Sequence, residues 1–303
     1  MDQTVDVIIP VYKPDHKFQL ILDRLAVQDH PVSRIIIINT DQRYYPKKIR
    51  QPDNCELIHI RKEEFDHGTT RNLGARMSDA DFILFMTEDA VPMDRHLISS
   101  LLAAFSDEKV AAAYARQVPN REHSRIEKFT RNFNYPPVSS VKSSADLGHL
   151  GIKTFFCSDA CAMYRKSVFT QLGGFLPQAI FNEDMLYAST LIYAGYKIAY
   201  RADARVIHSH DYSPVQQFRR NFDNGVSQAV NFRTFGSVPS YGEGIRLVRA
   251  TADYLIRTGH PLDCIPLFVQ SAAKFTGFVL GRNYYMLTRS VVLKITTNPG
   301  YWQ

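Results

Sequence analysis

The 303 residues are 45% hydrophobic and 22% charged, enough apolar side chain to bury a large core, which excludes a disordered or low-complexity chain. Four cysteines without a Cys-x-x-Cys pair, and a start lacking the charged, apolar and small-residue pattern of a leader, exclude a disulfide scaffold and predict a reduced, cytoplasmic protein. The net charge of +6 is segregated, with 10 Lys/Arg against 4 Asp/Glu from Val215 onward and 26 against 26 before it, so any attraction to an anionic surface belongs to the C-terminal region.

The first run, VDVIIPV, is continuously apolar and predicts a strand covered on both faces, ending at Pro10 and Tyr12. Phe18, Ile21, Leu22 and Leu25 follow at helical spacing, and then RIIIIN, ELIHI and FILFM read as further strands. Such alternation predicts βαβ units and a mostly parallel sheet, which binds ligands at the carboxyl ends of its strands, where Tyr12, Asp41 and Asp89 fall. No glycine-rich loop follows the first strand and no Gly-x-Gly-x-x-Gly follows any, which argues against a nucleotidyltransferase and a dinucleotide-linked dehydrogenase.

Residues 120–153, polar and broken by Pro136-Pro137, predict a long loop or flap. Glu183-Asp184 then opens a helical run, and His208-Ser209-His210 closes a strand-like one. Chemistry can be built from these pieces: a divalent cation held by Asp89 and one histidine neutralises a diphosphate leaving group, while Asp184 takes a proton from an acceptor. On a strand His208 and His210 face the same side, so either suits as the ligand.

Each piece also has an ordinary reading. Arg71 would pair with Glu63 or Glu64, Glu183-Asp184 would be an acid pair favoured by a helix dipole, Asp94 would cap the helix after Pro92, and Cys157 and Cys161 would simply be buried. After Val215 the pattern is helical, with Phe218, Phe222 and Val226 on one face and Ile265, Phe268, Ala272, Phe275 and Val279 repeating similarly. No stretch reads as apolar enough to span a bilayer. The aromatic residues there, including Phe278, Tyr284 and Tyr285, point to lipid interface or a dimer face rather than nucleic acid.

Taken in order, VDVIIPVYKP, HGTTRNLGA, TEDAVP, the stretch Ser158 to Phe175 and FNEDMLYASTLIYAGYKIAY resemble the family 2 glycosyltransferases over about the first 230 residues. DHGTTRN, HSHDYS and QQFRRNFDNGV are most similar to bacterial rhamnosyltransferases of rhamnose-containing surface polysaccharides. The resemblance implies an α/β fold of GT-A type, with a catalytic domain over 1–214 (donor half to about 115, acceptor half beyond) and a basic helical region over 215–303.

It further implies that Pro10 and Tyr12 contact the nucleotide, that Asp41 meets the base or ribose, and that Arg71 and Asn72 fix the donor. Thr87-Glu88-Asp89 stands in the place of an Asp-x-Asp motif, with Glu88 on the donor side and Asp89 the metal carboxylate. His208 takes the histidine position, with His210 as its alternative, and the cation is Mg²⁺ or Mn²⁺. Glu183-Asp184 matches the acidic pair whose aspartate is the general base, so attack inverts the anomeric carbon. The implied donor is dTDP-L-rhamnose, with another sugar as the alternative, and the implied acceptor a saccharide or polyprenyl-diphosphate-linked saccharide. Peripheral association with the inner membrane face and a homodimer are also expected, as is, for the threonine at 87, a competing reading as a catalytically idle donor-binding subunit.

Overall fold

The computed structural model describes residues 3–236 and 242–302. One nine-stranded sheet is formed by β1 (Val5–Val11), β2 (Arg34–Thr40), β3 (Cys55–Ile60), β4 (Phe82–Met86), β5 (Val91–Pro92), β6 (Val110–Val118), β7 (Ser140–Lys142), β8 (Cys161–Arg165) and β9 (Lys197–Ile207). Its order is β3-β2-β1-β4-β8-β6-β9-β5, with β7 added alongside β9. The first four in that order run parallel, β8 is antiparallel to both β4 and β6, and β9 lies parallel to β6.

The helices are α1 (His16–Leu25), α2 (His67–Met77), α3 (Leu97–Leu102), α4 (Arg125–Asn134), α5 (Leu147–Leu150), α6 (Lys166–Gln171), α7 (Glu183–Tyr193), α8 (Pro214–Val230), α9 (Phe232–Phe235), α10 (Gly242–Arg257), α11 (Cys264–Arg282) and α12 (Arg289–Ile295). The apolar stripe of α1, Phe18, Ile21, Leu22 and Leu25, packs on one face of the sheet with Val7, Ile9 and Leu84. Ala75 of α2 and Tyr187, Leu191 and Ile192 of α7 cover the other with Ile8, Ile36 and Phe85. Coverage on both faces is what permits continuous runs such as Ile35–Ile38. Gly74 lets α2 approach closely, since a Cβ there would collide with the Ile8 side chain.

Residues 120–153 depart from the predicted loop. They contain α4, β7 and α5, and Ser124 caps α4 by accepting from the Glu127 amide at 3.2 Å. Ser-x-x-Glu is a helix start signal, masked here by the absence of a regular apolar period after it. Asp94 also differs from expectation: it accepts from the His96 amide at 2.9 Å and pairs with Arg205 at 2.6 Å, while α3 begins at Leu97.

The C-terminal helices are joined to the rest through α8 and through α4, whose Ile126 packs with Leu255 of α10 and Leu267 of α11. Phe222 and Val226 pack with Ile180 and Val292, and buried Asp223 accepts from Thr296 Oγ1 at 2.6 Å and the Thr297 amide at 2.8 Å. Gly277 and Gly281 let α11 lie backbone to backbone on α8, where a Cβ would strike the Phe218 and Phe222 carbonyls. One expectation is corrected here: the segment Pro261–Arg282, 22 residues of mean hydropathy 1.3, is long and apolar enough to cross a membrane by length and composition. Its prolines, glycines and single internal lysine break the run as read along the chain, but Pro261 and Pro266 fall before and within the first turn, where a missing N–H is harmless.

Candidate active site

The carboxyl ends of β1 and β4 converge with the end of β9. The turn after β4 presents Asp89, and the extended chain after β9 presents His208 and His210 on one side, as period-two geometry requires. Asp89 Oδ1 lies 3.4 Å from His208 Nε2, Asp89 Oδ2 lies 3.2 Å from His210 Nε2, and the two imidazole nitrogens are 3.2 Å apart. The sequence left a choice between the histidines; the structure brings both to Asp89.

The tautomer of His208 follows from its other nitrogen. Nδ1 sits 2.9 Å from Gln117 Oε1, an oxygen to which the donor-only Arg131 guanidinium also points, so Nδ1 donates and Nε2 keeps its lone pair for a ligand. Burial, reinforced by His208, pushes His210 down to about 4, so it is neutral near pH 7. Burial raises the Asp89 carboxyl, but the two histidines outweigh it and hold it well below the usual carboxylate range. Two imidazoles and one carboxylate, with ligand atoms all within 4.8 Å of one another, fit a divalent cation.

Beside this cluster lies a cleft of about 470 Å³ lined by Pro10, Tyr12, Lys13, His67, Arg71, Glu88 and Asp89. Glu88 accepts from the Tyr12 amide at 2.9 Å, which ties the β4 turn to the end of β1. Burial, with the Asp89 charge adding and the Tyr12 amide opposing, pushes Glu88 up to about 7. The Lys13 ammonium stands 4.3 Å from the Tyr44 ring centroid, and Tyr44 meets Tyr12 edge-on at 5.8 Å. Cation and aromatic faces together suit a nucleoside diphosphate.

Asp41 and Asn72 are placed differently from the other expected donor contacts. Asp41 lines an adjoining cleft of about 510 Å³ with His59 and Arg61, at a positive φ of 67°, its carboxylate held by Arg43 Nε at 2.9 Å and Nη2 at 2.5 Å. Asn72 spends its amide on the Phe175 backbone, donating to its carbonyl at 2.8 Å and accepting from its N–H at 2.9 Å.

At the mouth of α7 three carboxylates gather, and two of them share one guanidinium. Arg71, 4% exposed, bonds Glu183 Oε1 at 2.6 Å and stands 3.7 Å from Asp159 Oδ2, while Glu64 pairs with Arg61 instead. Asp184 has no cationic partner. Its Oδ1 accepts from the Met185 amide at 2.7 Å and its Oδ2 from the Asp159 amide at 3.4 Å. Burial, then Glu183 and Asp159, push Asp184 well above the usual carboxylate range. Burial also raises Asp159, to about 6, against the pull of Arg71 and of the Tyr164 hydroxyl that donates to it at 2.7 Å. Arg71 outweighs burial at Glu183 and keeps it low. The arrangement retains a proton on Asp184, the member without an ion pair, until the pH rises above the ordinary carboxylate range.

Five participants escaped the sequence reading: Lys13, Gln117, Arg131, Asp159 and Arg220. Arg220 of α8 stands 4.8 Å over Tyr212 and 5.3 Å over Phe181, and Tyr212 stacks on His210 with centroids 5.0 Å apart. Asp159 alone carried a signal, an acid inside the apolar run FFCSDACAMY, which folds only if something pairs it. Cys157 and Cys161 are buried free thiols, as their ordinary reading had it.

Comparison with known proteins places this geometry. The profile described as Glycosyl transferase family 2 matches residues 6–173. O-antigen chain rhamnosyltransferase RfbN of Salmonella typhimurium is 37% identical over 303 residues, covering 98% of this chain and 96% of the relative. WbaN of Salmonella anatum, also an O-antigen chain rhamnosyltransferase, is 38% identical over 91% of this chain and 88% of its own. Among solved structures, a Pyrobaculum calidifontis mannosyltransferase with GDP-Man and Mn²⁺ aligns with a TM-score of 0.62 at 14% identity, over 93% of this chain and 88% of that one. S. aureus TarS 1-349 aligns at 0.52 and 14%, over 93% and 91%. At such identities these structures show the fold alone, the GT-A arrangement.

Proposed function

Since the chain belongs to glycosyl transferase family 2, we propose that it transfers L-rhamnose from dTDP-L-rhamnose, with inversion, to a saccharide or polyprenyl-diphosphate-linked saccharide in cell-surface polysaccharide synthesis. The sugar and its polymer come from the relatives, 37% and 38% identical over nearly the whole chain. The chemistry is supported by one observation: Asp89, His208 and His210 meet at the mouth of a cleft that also holds Arg71, the residue joining it to the carboxylates of α7.

In this reading the nucleotide lies against Pro10, Tyr12 and Lys13. Asp89, His208 and His210 would hold the cation, which when bound supplies positive charge to the departing nucleoside diphosphate. Two imidazoles in the set favour Mn²⁺ over Mg²⁺, which prefers all-oxygen shells. Lys13 and Arg220 add positive charge near the same place. Asp184 accepts the proton of the acceptor hydroxyl as that oxygen bonds to the anomeric carbon and the bond to the diphosphate breaks. A single base with attack from the opposite face turns a β-L donor into an α-L product.

The second histidine also answers the idle-subunit reading. Thr87 removes one acid from the usual motif, but His210 supplies a third ligand atom, so the site has not lost its means of holding a cation. The test is nucleotide release by the purified protein from a panel of nucleotide sugars, with Mn²⁺, Mg²⁺ or chelator, water replacing the acceptor. Release from dTDP-L-rhamnose that needs metal and is lost in Asp89→Ala supports the reading. Release from a different donor alone would replace the sugar, and tight donor binding without any release would favour the idle subunit.

A further inference from the structure

The cleft makes no use of the outer face of α11. Ile265, Phe268, Val269, Ala272, Phe275 and Val279 recur along it at three- and four-residue steps, and all are exposed, Phe268 by 73% and Phe275 by 69%. Leu262 before the helix and Tyr285 and Met286 after it extend the apolar row, each at least 73% exposed. Large apolar side chains concentrated on one helix face mark a surface that meets something.

The inner face of the helix shows what it cannot do. Gly277 and Gly281 press on the backbone of α8, Leu267 is buried, and half-buried Lys274 is turned toward Glu127 and Arg131, with burial pushing its ammonium below the ordinary lysine range. Although long enough to cross a bilayer, α11 is committed along one side to a polar protein, and crossing would carry the amphipathic α8 into hydrocarbon with it.

Charge decides between the remaining occupants. Three of the four acids beyond Val215 are engaged: Asp223 by Thr296 and Thr297, Glu243 by Lys153 and Arg246, and Asp263 by Arg125 at 3.3 Å. Arg249, Arg257 and Lys294 are exposed and form no ion pair with a described residue. Two copies docked through this region would bring their surplus cations together, whereas negatively charged lipid headgroups complement them.

We propose that the protein docks on an anionic lipid surface, α11 lying flat in the interface with Phe268 and Phe275 inserted and the neighbouring arginines and lysine over the headgroups. The surface stands independently of the glycosyl-transfer reading, which it deepens by placing the enzyme where a lipid-linked acceptor resides. Arg131 of α4 connects the two, since it lies near Lys274 on one side and bonds Gln117, the partner of His208, on the other.

The test is flotation of the full chain with vesicles of phosphatidylglycerol and phosphatidylcholine, or of phosphatidylcholine alone, at low and high salt. Wild type should float with the anionic vesicles, less so at high salt, and Phe268→Glu/Phe275→Glu should bind at least about tenfold more weakly. Both side chains are exposed, so the variant should keep its melting temperature and its rate of donor hydrolysis in solution. Wild type that stays in the dense fraction, or a variant that floats equally, overturns the proposal. So does a wild-type dimer in sedimentation that the same substitutions dissociate, which would assign the face to a second copy. Failure of donor hydrolysis in wild type would strike the glycosyl-transfer reading and leave the vesicle result standing.

Discussion

Asp184 differs from Glu183 although both begin the same helix. Glu183 meets Arg71 at 2.6 Å and stays ionised, whereas Asp184, lacking a cation and facing two other carboxylates, holds its proton to higher pH. A base works only when deprotonated, so donor hydrolysis should rise with pH through a limb lying above the ordinary carboxylate range. Asp159→Asn removes one of the charges that raise Asp184, and it leaves Arg71 with fewer competitors; both effects lower the limb, and a pH–rate profile should show it displaced to lower pH with donor KM little changed. Gln117→Ala tests the metal cluster from outside. It deletes the acceptor that fixes His208 and should weaken Mn²⁺ binding about 10–100-fold in a direct titration, while leaving all three ligand side chains in place. Arg71 and Glu183 were legible as motif positions, but their pairing was not: an ion pair spanning 112 positions between α2 and α7 leaves no local trace.

The strands were the readable elements because burial on both faces forces uninterrupted apolar runs, as in β1, β2 and β4. Helix α4 was not, since Arg131 and Glu127 on its surface are spent on each other at 2.6 Å and on Gln117, so polar positions there do structural work that composition mistakes for loop. Helix α11 was read correctly as a repeat of apolar positions, but periodicity alone could not say that Leu267 and the glycines, rather than the Phe268 and Phe275 row, face the protein. That inversion is testable. Gly281→Val would push a branched side chain into the Phe222 carbonyl on α8 and should cost about 1–3 kcal/mol, seen as a fall of several degrees in melting temperature. Asp223→Ala, which strands the Thr296 and Thr297 donors, should destabilise by a similar amount.

On the scale of the whole molecule, the sheet order explains why so distant a set of residues meets. β1 and β4 are adjacent and end together, and β9 approaches from the far half of the sheet by way of β6 and β8, so Tyr12, Asp89 and His208 come to one place from three segments. The adjoining position of Asp41, one strand further out and held by Arg43, follows from the same order. Charge is unevenly spread along the chain: the residues before Val215 are electrically balanced and those from it onward carry the basic surplus. The measurement that bears most directly on the central claim is the rate of nucleotide release from dTDP-L-rhamnose by wild type and Asp184→Asn at saturating Mn²⁺, with donor affinity measured alongside by calorimetry. Removal of the base should slow release about 10²–10⁴-fold while donor affinity stays within a few-fold. A variant that releases nucleotide within tenfold of wild type would contradict the assignment of Asp184 and the mechanism built on it.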